Sequence, residues 1–202
     1  MRKCFLILLA AVIFPPQAIA QAVEFGVVGG VPLTPVTPRY THNDSRPYLI
    51  GPSIEFRLPA SFAIEVDGIY RRIGSNRSGQ FNSDTGLTSY SYRTTGNSWE
   101  VPVLGKYYFQ PRHSLFRPFI ASGFSLRTIT ENSKYVSGPN PPASSSFSSR
   151  DALDVGAVVA AGLHFKPGRF SVDPQFRYSR WGSGSNNHVS KNQTDFVLGI
   201  RF

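Results

Sequence analysis

His188-Val189-Ser190 sets a hydroxyl two residues from an imidazole, and a serine nucleophile needs such a neighbouring base. The tripeptide lies in a stretch rich in Gly, Ser and Asn, where this spacing arises readily by chance. The strand positions before it that would hold it rigidly carry Arg180 and Trp181 instead. Glu65 and Asp67 are a second candidate, a carboxylate pair for acid–base work. Residues two apart on a strand share one face, however, and serve equally well in ion pairs. Neither arrangement is expected to be catalytic. His42 and His113 are isolated in connections, and His164 reads as a hydrogen-bonded filler near a tight turn. No paired spacing suits a metal, and no cofactor is expected.

The first residues read as a removable leader. Arg2 and Lys3 precede an apolar run from Phe5 to Phe14, and Ala18-Ile19-Ala20 ends the segment. That is a signal-peptide pattern, with cleavage expected after Ala20. The run is far shorter than the roughly 20 residues a membrane-spanning helix needs. Cys4 lies before the run, so the mature chain is expected to hold neither Cys nor Met, without disulfide framework or thiolate chemistry. The expected organisation is residues 1–20 as signal peptide and 21–202 as one barrel domain. Without Arg2 and Lys3 the 21 basic residues fall to 19 against 12 acids, a net charge of +7. These bases are scattered rather than clustered, which argues against a nucleic-acid partner.

The charges that matter recur at alternate positions of about eight apolar segments. Val23 to Val31 alternates with Glu24 inward of the apolar set; Ile54, Phe56 and Leu58 oppose Ser53, Glu55 and Arg57. Phe62, Ile64, Val66 and Tyr70 oppose Glu65, Asp67 and Arg71, and Trp99 to Tyr107 oppose Glu100, Pro102, Leu104 and Lys106. Ile120, Phe124 and Leu126 oppose Ser125 and Arg127, and Leu153 to Phe165 oppose Asp154 and His164. Phe170 to Tyr178 oppose Asp173 and Arg177, and Phe196, Leu198, Ile200 and Phe202 oppose Asp195 and Arg201. Period two means strands with one apolar face. Pro102 cannot donate to a ladder, so a bulge or local break is expected there. Residues 32–48, 74–96, 131–150 and 182–193 read as long polar loops, and the other connections as short turns. Long and short connections therefore alternate, and an even strand count leaves both chain ends at the short-turn end.

The polar faces carry both signs in near balance, namely Glu55, Arg57, Glu65, Asp67, Arg71, Glu100, Lys106, Arg127, Asp154, Asp173, Arg177, Asp195 and Arg201. Small residues fill much of the remainder. A narrow lumen of interlocking ion pairs accounts for that balance, and the uncharged opposite faces, with aromatics near strand ends, suit lipid. The expected fold is all-β, an eight-stranded antiparallel up-and-down transmembrane β-barrel.

With the aromatic closing strand from Phe196 to Phe202, the chain resembles small bacterial outer-membrane barrels of the OmpA/OmpX type over residues 23–202. The resemblance implies an outer-membrane location. It also implies that Phe196, Leu198, Ile200 and Phe202 form a signal read by the barrel insertion machinery. Pro102 and Pro174 within strands depart from the pattern, and with no peptidoglycan-binding domain after Phe202, tethering to the cell wall is not implied. The leading expectation is a non-enzymatic envelope protein, structural or interacting through long basic loops. Those loops hold Arg39, Arg46, Arg77, Arg93, Lys134, Arg150 and Lys191 against Asp44, Asp84, Glu131 and Asp151. Outer-membrane lipids, with lipopolysaccharide among them, are the expected partners. A small porin-like channel is the alternative. A lipid A-modifying hydrolase is the third reading, since some barrels that this one resembles in outline use a His-x-Ser pair with a carboxylate.

Overall fold

The alternation of apolar and polar residues dictates strands that are wetted by two different media. The computed structural model describes residues 23–34, 42–43, 48–83, 86–111, 114–137, 146–150, 153–182 and 190–202. Its strands are β1 (Val23–Pro32), β2 (His42–Asn43), β3 (Leu49–Arg57), β4 (Phe62–Asp67), β5 (Ile69–Ser83) and β6 (Gly86–Tyr108). They continue as β7 (Phe116–Ser137), β8 (Ser146–Arg150), β9 (Asp154–Phe165), β10 (Ser171–Trp181) and β11 (Asn192–Arg201). β4 with β5, and β8 with β9, each make one stave, so the wall has eight staves. Within the wall all pairings are antiparallel between staves adjacent in the chain, and β1 pairs with β11 to close the barrel.

Closure removes every sheet edge within the wall, the requirement lipid imposes on a spanning sheet. Outward positions form an apolar band with aromatic contacts at both margins. At the short-turn end Phe62 packs on Tyr107, Tyr107 on Phe109, and Phe116 on Phe165. At the long-loop end Tyr70 packs on Tyr48 and on Trp99. Trp99 and Tyr107 are separated along β6 by about 27 Å at ~3.4 Å per residue, which at a tilt of ~40° is roughly 21 Å of height, a little under an apolar band about 25 Å tall.

Three expectations are corrected by this architecture. Residues 74–96 are not a loop: β5 and β6 pair without interruption from Ile69↔Glu100 to Ser83↔Gly86. Residues 131–150 likewise continue β7 to Ser137 and add β8, paired from Thr130↔Arg150 to Lys134↔Ser146. The staves on this side thus rise as a sheet well beyond the rim, whereas β10 ends at Trp181 and β1 at Pro32. Within the first loop β2 pairs with β5. The third correction concerns Pro102. β6 runs through it unbroken, in register with Ser125 of β7. The break falls on the neighbouring stave at Gly68, between Asp67 and Ile69. On one side Gly68 donates to the Pro52 carbonyl at 2.9 Å, but Pro52 has no N–H to return. On the other side the β4–β6 ladder stops at Val66↔Val103 and the β5–β6 ladder resumes at Ile69↔Glu100, spanning Pro102. Registers match across the gap, so two prolines thin the ladder without displacing a face. Gly51 is required here, because a Cβ would meet the Gly68 carbonyl oxygen at 1.9 Å.

The short turn between β3 and β4 is tight. Ala60 and Ser61 both adopt positive φ, at 57° and 66°. That is the twist two-residue hairpins favour, and the Leu58 N–H donates to the Phe62 carbonyl across it.

Candidate functional site

Inward positions of all eight staves meet in the lumen, in tiers set by distance along each strand. At the short-turn mouth Glu24 accepts from Arg57 and, at 3.1 Å, from Lys166. Beside them the Arg117 guanidinium lies 4.1 Å from the Tyr108 ring centroid and donates to the Gln110 carbonyl.

The next tier is a knot of buried charge. Lys106 Nζ lies 3.0 Å from Glu55 and 3.6 Å from Asp173, and it also contacts Glu65. Arg201 bridges Glu55 at 3.5 Å and bonds Asp173 and Glu65. Arg177 donates to Glu65 at 2.6 Å and lies 2.7 Å from Asp67. Tyr108 donates to Glu55 at 2.8 Å, and His164 Nδ1 lies 2.7 Å from Asp173. β4 and β10 are the third and seventh staves, so the Arg177–Glu65 bridge spans the barrel's diameter. Glu55, Glu65, Asp173, Lys106, Arg177 and Arg201 each face two or more opposite charges, which offsets their removal from water, while Asp67 faces Arg177 alone.

Above this knot lies an apolar layer of Val28, Leu49, Ile69 and Val197 beside Leu104, Ala121, Val158 and Ala160. The upper tier follows. Arg71 makes a fork with Asp195, at 2.9 and 2.8 Å, and lies 3.3 Å from Glu100. Such bidentate pairs are the strong ones. Arg127 donates to Asp154 at 2.7 Å, and its guanidinium stacks 3.9 Å from the Trp181 ring centroid. The Trp181 indole donates to Gln193 at 2.9 Å.

The thirteen residues predicted to share the lumen therefore fall into separate groups. Glu55, Glu65, Asp67, Lys106, Asp173, Arg177 and Arg201 are brought together, as are Arg71, Glu100 and Asp195. Arg127 meets Asp154, while Arg57 is tied only to Glu24 at the mouth. Sequence reasoning left Glu24, Tyr108, His164, Lys166 and Trp181 out of the network. The first three carried a signal, since alternation already put them inward; the capping roles of Lys166 and Trp181 needed coordinates. Trp181 closes β10 as a buried, inward residue, in keeping with a loop that begins at residue 182.

Glu55, Glu65 and Asp173 each place a carboxylate oxygen within 4.8 Å of one another. The Lys106 ammonium and Arg201 guanidinium already occupy the focus of that group, so its chemistry is charge neutralisation rather than metal ligation. His188 lies outside the described residues, and its relation to Ser190 with it. So do the loop residues Arg39, Asp44, Arg46, Asp84, His113 and Asp151, together with the side chains of His42, Arg77, Glu131 and Arg150. Phe196, Leu198, Ile200 and Phe202 lie outward; Phe196 packs on Phe176, and the Phe202 N–H donates to the Phe25 carbonyl at 2.9 Å.

A family model described as outer membrane protein beta-barrel domain matches residues 17–182. Among solved structures, the N-terminal β-barrel domain of Pseudomonas aeruginosa OprF is similar at 16% identity and a TM-score of 0.47, over 90% of this chain and 97% of that one. Neisserial surface protein A is similar at 15% identity and a TM-score of 0.49, over 89% and 94%. Outer membrane protein W of E. coli is similar at 13% identity and a TM-score of 0.42, over 90% and 97%. No curated protein matches the sequence.

Proposed function

Since the chain belongs to the outer membrane protein β-barrel domain family, we propose that it is a non-enzymatic barrel of the bacterial outer membrane with a sealed lumen. It acts through its outward surface and the structure above its rim. The observation that carries this reading is the charge knot that crosses the lumen, Arg177 to Glu65 on the opposite stave and Lys106 to Glu55 and Asp173 on non-adjacent staves. An eight-stranded barrel is just wide enough for side chains to fill. Fill made of interlocked ion pairs opposes the passage of a hydrated ion, because opening it would strand unpaired charges. The near balance of signs also gives a channel no selectivity to build on. In this reading the chain is delivered after cleavage behind Ala20, and the outward aromatic closing strand addresses it to the insertion machinery.

Planar-bilayer recording of purified, refolded protein tests the seal. The expected outcome is no conductance in the wild type and leak when Arg177 becomes Ala. Stable, reproducible conductance of the wild type would overturn the proposal in favour of a channel.

A further inference from the structure

The two sides of the wall differ in their charge: the lumen holds both signs, whereas the charged residues described on the outward surface are bases. All eight acids with described side chains point into the lumen: Glu24, Glu55, Glu65, Asp67, Glu100, Asp154, Asp173 and Asp195. Exposed bases, by contrast, include Arg72, Arg93, Lys134 and Arg180, all at or beyond the long-loop margin. Two of them sit in the same local constellation. On β5, Tyr70 and Arg72 share the outward face, and Asn97 of β6 stands opposite Arg72. The Tyr70 hydroxyl donates to Asn97 Oδ1 at 2.8 Å. On β10, Tyr178 and Arg180 share the outward face, and Asn192 of β11 stands opposite Arg180. The Tyr178 hydroxyl donates to Asn192 Oδ1 at 3.0 Å. β5 and β10 belong to the third and seventh staves, so the two constellations lie on opposite sides of the barrel.

We infer that Tyr70–Arg72–Asn97 and Tyr178–Arg180–Asn192 are two binding sites for the phosphate groups of outer-leaflet lipid. The inference rests on the reading of the chain as an outer-membrane barrel. In each constellation the tyrosine proton occupies the asparagine oxygen, which leaves both amide N–H groups as donors. The arginine opposite contributes a planar fork of donors that matches phosphate geometry. Facing residues on adjacent strands lie about 5 Å apart at Cβ, close enough for both sets of donors to converge on one tetrahedral anion. The height is also right. Tyrosine rings mark the interface, and the arginine follows about 7 Å further along the strand at ~3.4 Å per residue, where lipid headgroups begin. No described carboxylate lies on this surface to compete. Above the first site Arg93 stands opposite Lys134 and both are exposed, which extends its positive field. The occupant is lipid rather than a soluble anion because both sites continue the lipid-facing aromatic surface.

The test uses full-length protein refolded in detergent micelles and titrated with diphosphorylated lipid A, its dephosphorylated counterpart and inorganic phosphate. Native mass spectra count bound lipids. Fluorescence of Trp99, whose ring centroid is 5.3 Å from that of Tyr70, reports on the first site. The expected result is two phosphorylated lipids bound, with affinity falling as salt rises. R72Q and R180Q should each lose one lipid and weaken binding at that site roughly tenfold, the scale of a charged hydrogen bond. R169Q, an exposed charge at the short-turn end, should retain both lipids. If R72Q fails to refold, N97L removes the opposing amide from the same site and should lose the same lipid. Equal binding of dephosphorylated lipid, retention of both lipids by R72Q and R180Q, or binding of inorganic phosphate without lipid would each overturn the inference. Failure of the barrel reading registers separately, as absence of heat-modifiable gel mobility in the wild type.

Discussion

The inward and outward faces of the same strands solve opposite problems. Outward, lipid offers no hydrogen bonds, so the residues between the girdles are Val27, Ile64, Val103, Phe124, Val159 and their like. Inward, an eight-stranded barrel is just wide enough for side chains to fill, and here the fill is ionic: Glu65, Lys106, Asp173 and Arg201 are buried as completely as Val28 or Leu104. Burial alone therefore does not say which residues are apolar. What differs is whether partners surround the position on all sides, as seven other staves do for an inward residue, or lie only along the wall. A charge is tolerable in the first setting and not in the second.

The largest effect that sharpens this contrast is expected at Glu65. It touches Lys106, Arg177 and Arg201 at once. Glu65→Gln keeps the volume but takes one carboxylate from each of three buried cations, and losing one partner of a buried pair costs about 3–5 kcal/mol. A urea refolding titration in lipid vesicles measures it. A loss below about 1 kcal/mol, the scale of a surface pair, would mean that water screens the knot and that the lumen is wet.

The converse substitution places a charge on the lipid side. Val103 is outward in the apolar band, midway along β6 between Trp99 and Tyr107 and opposite Val66 and Phe124 on its two neighbours. Val103→Arg is expected to cost about 2–4 kcal/mol, as cations do near the midplane. Thr95 lies on the outward face of β6 too, but two turns of the pleat beyond Trp99, and Thr95→Arg should be nearly neutral. Equal losses at the two positions in the same titration would erase the boundary drawn at the aromatic girdle.

How much of this was legible in the sequence follows from the same contrast. Where lipid forces one face to be apolar, period two survives, and the facing of Glu65, Arg177 or Val159 can be read directly. Beyond the girdle no such force acts. Between residues 75 and 97 polar residues such as Ser75, Ser89, Thr94 and Asn97 follow one another without an apolar period of two, so the hairpin reads as loop although its backbone pairs to Ser83↔Gly86. The break at Gly68 was hidden for a different reason. A proline removes a donor from its own residue, but the ladder loss is felt by the residue across, and Gly68 lies far from Pro102 in the chain. Cross-lumen partners depend on the stagger of staves around the barrel. Alternation puts Arg177 and Glu65 inward without saying that they meet. The pairing of lumen charges into a mouth pair, a central knot and an upper tier was accordingly beyond reach, whereas their membership of one face was not.

The smallest effect is expected where the inward face stops being an interior. Glu24 has two cationic partners, Arg57 and Lys166, and by contact alone it resembles Glu55, which meets Lys106 and Arg201. Its surroundings differ. The Lys166 side chain is 34% exposed and that of Arg57 is 18% exposed, against 0% for Lys106. Water at the mouth can solvate either cation once the carboxylate is lost, so no stranded charge remains. Glu24→Gln should therefore cost about 0–1 kcal/mol, as exposed pairs do, and the loss should shrink further in high salt. The corresponding loss in Glu65→Gln should barely respond to salt, because ions do not enter the knot. Measuring both variants at low and high ionic strength thus separates depth from the number of partners. A Glu24→Gln loss as large and as salt-insensitive as that of Glu65→Gln would mean that the sealed region extends to the short-turn mouth.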